Sequence, residues 1–221
     1  MARWWNRSKE CRSVAWIAAV ALMRVGSAAG PTTTPAEIPA TSPKAALTSL
    51  NLALRDGDRQ AIRSLFVTHD DEGSRLVRAM ADYAQALAML HQAARNAYGP
   101  AGANTVTGDI EAQSQDGLSA IEKAEVVITG DTAEIRFRDA TDPPVSLMKI
   151  GDGWKLPLAQ LLDGADRKAE ERRCKELLTQ AAAARKTADE VKAGKYREGP
   201  LKAAEVWRTR LLEPTTRKAK E

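Results

Sequence analysis

The chain has 221 residues, a net charge of +4 and 28% charged side chains, which suits a medium-sized soluble domain with additions. The basic balance does not mark a nucleic-acid binder. Residues 1–29 hold Arg3, Arg7, Lys9, Arg12 and Arg24 against Glu10 alone, so residues 30–221 carry 28 basic and 28 acidic groups.

Residues 1–13 are polar and basic, Val14 to Met23 is an apolar run of ten, and Gly26-Ser27-Ala28-Ala29 follows. This is the layout of a secretory signal peptide over residues 1–29, with cleavage after Ala28 or Ala29. It predicts a secreted or periplasmic protein with no membrane association after cleavage; the alternative is an uncleaved N-terminal anchor. Cys11 precedes the apolar run, so cleavage leaves Cys174 as the single cysteine, either an inert thiol or one side of an intermolecular disulfide.

Residues 30–42 are rich in Pro and Thr and read as a linker. Ser42 and Pro43 predict a helix start, with Ala46, Leu47, Leu50 and Leu54 as its buried stripe and Asp56-Gly57 as its end. Asp58 predicts the cap of a short helix burying Ala61, Ile62, Leu65 and Phe66. A long helix follows from about residue 72 to 98. Leu76, Met80, Tyr83, Leu87, His91, Ala94 and Tyr98 form its stripe, Asp71 or Ser74 its cap, and Gly99-Pro100 its stop. Residues 99–114 show no period and are expected to be a loop, and 118–123 a short helix.

Strand periodicity is confined to residues 124–156. Val126 and Ile128 give a first strand its apolar face, and Gly130-Asp131 sits at hairpin spacing. Ala133, Ile135 and Phe137 alternate with Thr132, Glu134, Arg136 and Arg138. Val145 to Ile150 is a third strand, and Trp154 to Leu156 a fourth after the Gly151-Asp152-Gly153 turn. A helical turn with Leu158, Leu161 and Leu162 comes next. Residues 166–192 form a charged helix with a thin stripe of Leu177, Leu178, Ala181, Ala184 and Val191. Pro200 opens a last helix burying Leu201, Ala204, Trp207 and Leu211. The expected fold is α+β: N-terminal helices on a short curved antiparallel sheet of about four strands, over residues 43–163, then a C-terminal helical pair over 164–213 and a charged tail, 214–221. Residues 44–163 have a net charge of −5 and 164–221 a net charge of +6, so the helical pair is expected to dock on the acidic part.

The segments Ala45-Ala46-Leu47, Ala53-Leu54-Arg55-Asp56-Gly57-Asp58, Ala61-Ile62 and Leu65-Phe66, together with Lys149-Ile150-Gly151-Asp152-Gly153-Trp154-Lys155-Leu156, resemble small secreted bacterial domains of the nuclear-transport-factor-two-like, or cone-fold, superfamily. The resemblance spans about residues 43–157. It implies a sheet curved around a pocket, in which Tyr83 and His91 of the long helix would face a cavity with Trp154. Members of that superfamily include isomerases, dehydratases and non-enzymatic ligand-binding or assembly modules.

Candidate chemistry is sparse. His69-Asp70-Asp71-Glu72 is the densest polar cluster, but it lacks a Ca²⁺-loop pattern and fits acids at a helix N-terminus. Glu134 points away from the apolar face, and Asp82 is turned from Tyr83, so no carboxylate stands beside His91 as a base. No phosphate loop, nucleophile elbow, zinc motif or cofactor motif is present, so no catalytic residue, metal or cofactor is expected. The expected function is a secreted, non-enzymatic domain that binds a small apolar ligand or forms a homo-oligomer. The alternatives are an isomerase- or dehydratase-type enzyme of the same fold, and an adaptor holding a protein partner through its C-terminal helices.

Overall fold

A computed structural model describes residues 40–68, 70–138, 144–161 and 167–212. The signal segment, nearly all of the linker, His69, Asp142-Pro143, Leu162 and the charged tail lie outside the described residues.

Helix α1, Pro43–Asp56, begins where Ser42 Oγ accepts the Ala45 N–H at 3.1 Å and ends at Gly57, whose φ of 68° is left-handed. Helix α2, Arg59–Ser64, is capped by Asp58, which accepts the Gln60 and Ala61 N–H groups, each at 3.0 Å. The chain then differs from expectation. Phe66–Val67 is not helical but forms a strand, β1. Two residues are too few to leave a periodic signal, and only their pairing with a distant strand defines them.

Helix α3, Asp71–Thr107, is capped by Asp70, whose carboxylate accepts the Gly73 N–H at 2.7 Å; neither Asp71 nor Ser74 takes that role. The Ser74 hydroxyl lies within hydrogen-bond distance of Thr68 and of the Asp70 carbonyl instead. Gly99 leaves helical geometry at φ 75° and ψ 179°, and Pro100 starts a second helical stretch that reaches Thr107. Helix α4, Ile110–Lys123, follows Asp109 as its cap. Residues 99–114 are therefore mostly helical rather than a loop. Apart from Val106, the buried positions there are small, namely Gly102, Ala103 and Ser114, and small residues carry too little hydropathy contrast to show a period.

Strands β2 (Glu125–Thr129), β3 (Thr132–Arg136), β4 (Val145–Ile150) and β5 (Gly153–Pro157) form an antiparallel meander. The sheet has five strands in the order β1-β5-β4-β3-β2, because β1 adds in parallel to β5 with Phe66 opposite Leu156. Ala133, Ile135, Leu147, Trp154 and Leu156 are buried on its inner face. Ile128, expected on that face, is 56% exposed because it sits on the edge strand.

After the turn α5, Leu158–Leu161, come α6, Arg167–Lys192, and α7, Pro200–Leu212. Two cores result. One joins α1, α2 and the first half of α3 to the sheet, through Leu50, Ile62, Leu76, Ile135, Leu147 and Trp154. The other is purely helical and packs Leu90, Ala93, Ala103, Ala184, Ala188 and Trp207 from α3, α6 and α7. The long helix α3 thus serves both cores, and its alanines allow the close approach of α6. The C-terminal helices dock on α3. Along with the alanine seam, α6 pairs Arg167 with Glu72, and Arg185 approaches Asp82 at 4.0 Å. Of the expected stripes, Leu178 is 47% and Leu201 74% exposed; Ala181, Ala184, Thr187 and Ala188 carry the α6 contact. No described helix is long and apolar enough to cross a membrane.

Candidate functional site

The first turns of α3 and α6 lie side by side. Contacts advance together along both helices: Glu72 meets Arg167, the Cys174 thiol lies 3.8 Å from the Arg75 carbonyl, and Asp82 meets Arg185. The two helices therefore run parallel. Between them opens a surface groove of about 710 Å³. Glu72, Glu170 and Glu171 line one end, Arg75, Cys174 and Lys175 the middle, and Leu178, Thr179 and Ala182 the other end. Leu177 and Leu178 are neighbours and cannot both face inward on a helix. Leu177 enters the first core, which leaves Leu178 on the groove. Burial pushes the Glu170 carboxyl above its ordinary range, and Asp70 and Glu72 nearby push in the same direction. One end of the groove thus gathers three carboxylates, of which Glu72 and Glu171 pair with Arg167 and Glu170 does not, and the other end is mainly apolar.

The three residues expected at a pocket are placed in different surroundings, and none lines this groove. Trp154 is 5% exposed within the sheet core, and its backbone N–H donates to the Ala40 carbonyl at 2.9 Å. Tyr83 packs against both cores, and burial pushes its phenol up. His91 lies further along α3, with Nδ1 2.8 Å from Thr107 Oγ1. That contact links the two halves of α3 across the Gly99 kink, and Arg95 with Glu111, at 2.7 Å, ties α3 to α4 beside it. Burial lowers the His91 imidazole below its ordinary value, the nearby Glu111 opposing this. His91 is thus built into a brace.

Other charged groups are also held. Asp82 pairs with Arg59 at 2.7 Å, and Glu134 with Arg136 at 2.9 Å on the outer sheet face. Asp70 is occupied as a cap and Glu72 with Arg167, and among the described residues no three His, Cys, Asp or Glu side chains gather to hold a metal.

A cluster that sequence spacing did not show closes the second core. Glu190 accepts from Arg210 at 2.7 Å, from Lys195 at 2.7 Å and from the Tyr196 hydroxyl. Arg210 also donates to the buried Thr187 hydroxyl at 2.9 Å, and the Tyr98 hydroxyl donates to the Tyr196 carbonyl at 3.2 Å. Hydrogen bonds from Arg210 first, then Lys195 and Tyr196, hold the Glu190 carboxyl well below the usual range. Burial and the bond to Glu190 push the Tyr196 phenol up to about 12.

The chain matches no protein-family model, no curated protein and no solved structure.

Proposed function

We propose that this protein is an exported, non-enzymatic binding module that holds a small amphiphilic molecule in the groove between α3 and α6. The observation that carries this reading is the polarity of that groove, acidic at Glu72, Glu170 and Glu171 and apolar at Leu178 and Ala182. Its volume of about 710 Å³ is within the usual range for small-molecule sites. The apolar body of the ligand lies over Cys174, Leu178 and Ala182, and a cationic or hydrogen-bond-donating end faces Glu170. Export is supported by the basic start and ten-residue apolar run of residues 1–29. The non-enzymatic part is supported by His91, Asp82, Glu134 and Glu190, each engaged by a structural partner. The succession of two helices, a short strand, a long kinked helix, a further helix (α4) and a four-strand meander is the observation behind a kinship with the cone-fold superfamily; α4 and the C-terminal pair are additions to it.

The test is native mass spectrometry of the full-length product recovered from a secreting bacterial host, joined to titration with N-phenylnaphthylamine, an apolar amine dye. Retained small mass, or dye binding that shields the Cys174 thiol from alkylation, is the expected result. Leu178→Glu should weaken dye binding about tenfold or more, since it replaces the apolar surface that the dye would cover with a charged group. Dye binding unaltered by Leu178→Glu, or no binding at all, defeats the reading.

A further inference from the structure

Among the described residues, the sheet protects one edge and leaves the other unpaired. On the β5 side, Phe66 and Val67 add as a short parallel strand, and the Ala40 carbonyl takes the Trp154 N–H. On the far side, no described strand pairs with the outer edge of β2. This edge carries Glu-Val-Val-Ile-Thr, its single charge at the Glu125 end, with no proline and no lysine, and Val127 and Ile128 are 38% and 56% exposed. Sheets usually guard such an edge with charge, proline or a bulge. From these observations we propose that β2 pairs with β2 of a second copy, antiparallel about a two-fold axis through Val127, joining two sheets into one. This inference does not depend on the groove.

The register follows from backbone alternation. Lys149 N–H donates to the Asp131 carbonyl at 2.8 Å, so Asp131, Ala133 and Ile135 direct their backbone groups to β4. Thr132, Glu134 and Arg136 therefore face β2, where they meet Thr129, Val127 and Glu125. That leaves the N–H and C=O groups of Val126 and Ile128 directed at the open edge. In the two-fold arrangement Val126 of one copy lies opposite Ile128 of the other, and both pairs are of the hydrogen-bonded kind. About four backbone bonds form across the axis.

The side chains agree with this register. Val126 meets Ile128 on the inner face, Val127 meets Val127 on the outer face, and Glu125 meets Thr129. Beyond the strand ends, Lys123 at the end of α4 and Asp131 in the turn of the other copy come to the same end of the pairing, and both are exposed. A slip of two residues toward the turn would instead set Glu125 against Asp131, like charge against like. A five-residue edge buries less than a standard interface, so association is expected in the micromolar range and above.

The protein made from the full-length sequence should show a mass that rises toward twice the single-chain value as its concentration increases in sedimentation. Val127→Lys sets two lysines face to face on the axis and should abolish that rise. In a Cys174→Ala background, Val127→Cys should form an intermolecular disulfide under mild oxidation, because residues opposed in a non-hydrogen-bonded pair are close enough for the bond. Met148→Cys, exposed on the outer face of β4, should not. A single-chain mass at every concentration overturns the proposal. So does an association that Val127→Lys leaves intact, or cross-linking through Met148→Cys in place of Val127→Cys.

Discussion

Replacing Glu190 by glutamine keeps the shape and removes the charge at the joint between α6 and α7. The carboxylate and its main partner are largely covered, with side-chain exposures of 16% for Glu190 and 17% for Arg210. A hydrogen bond to a charged group contributes about 1.5–3 kcal/mol. The Lys195 bond adds little, since that side chain is 60% exposed and screened. The amide retains one acceptor for Tyr196 or Arg210, which offsets part of the loss. After this discount the net cost at neutral pH is about 2 kcal/mol, a fall in melting temperature of about 4–8 °C for a chain of this size. The sign of the pH dependence follows from the lowered folded value. The stabilisation is fully present above the ordinary Glu value of 4.5 and is lost progressively as pH falls below it. Thermal unfolding followed by circular dichroism at pH 7 and at a series of acidic pH values measures both. A Glu190→Gln variant as stable as the parent at pH 7, or a difference that does not shrink in acid, would refute the account of this cluster.

Gly57→Ala should cost about 2–4 kcal/mol in denaturant unfolding, because φ is 68° and a Cβ there would meet Gln85 Cα at 2.7 Å and Ala88 Cβ at 2.9 Å. Trp207→Ala should cost about 3–5 kcal/mol and raise amide exchange in α7 ahead of the sheet, since Trp207 is 4% exposed in the helical core and absent from the other. The His91 ring should titrate below 6.5 by NMR, and stability should fall as pH drops through that folded value, because protonation favours the unfolded chain. Replacing Tyr196 by phenylalanine should remove a loss of stability that otherwise sets in as pH rises from 10 towards 12.

Local chemistry carried much of the fold. Ser42 and Asp58 start helices because their side-chain oxygens reach free N–H groups one turn on, and Gly57 stops one because it tolerates positive φ. Gly130-Asp131 and Gly151-Asp152 turn the chain at hairpin spacing, and the alternation at residues 132–136 assigned the buried and wet faces of β3 correctly. All of these depend on residues within a few positions of one another. The site was less legible. Tyr83 and His91 share a helix stripe, and only a cone would bring Trp154 to them. In the structure the stripe divides between two cores, and His91 turns to Thr107.

By itself, the sequence determined that the chain is mixed helix and sheet and where most helices start and stop. Tertiary structure alone decided that Phe66–Val67 is a strand, since its only signal is a partner ninety residues away on β5. It decided that residues 100–107 continue α3, because small residues become informative only once Trp207 and its neighbours pack on them. It also chose Leu177 over Leu178 for the core and brought Glu190 to Arg210, twenty residues apart, around one buried threonine. Caps, turns and alternation act over one turn of backbone and can be read in order, whereas the groove, the open sheet edge and the charge cluster exist only where distant segments meet.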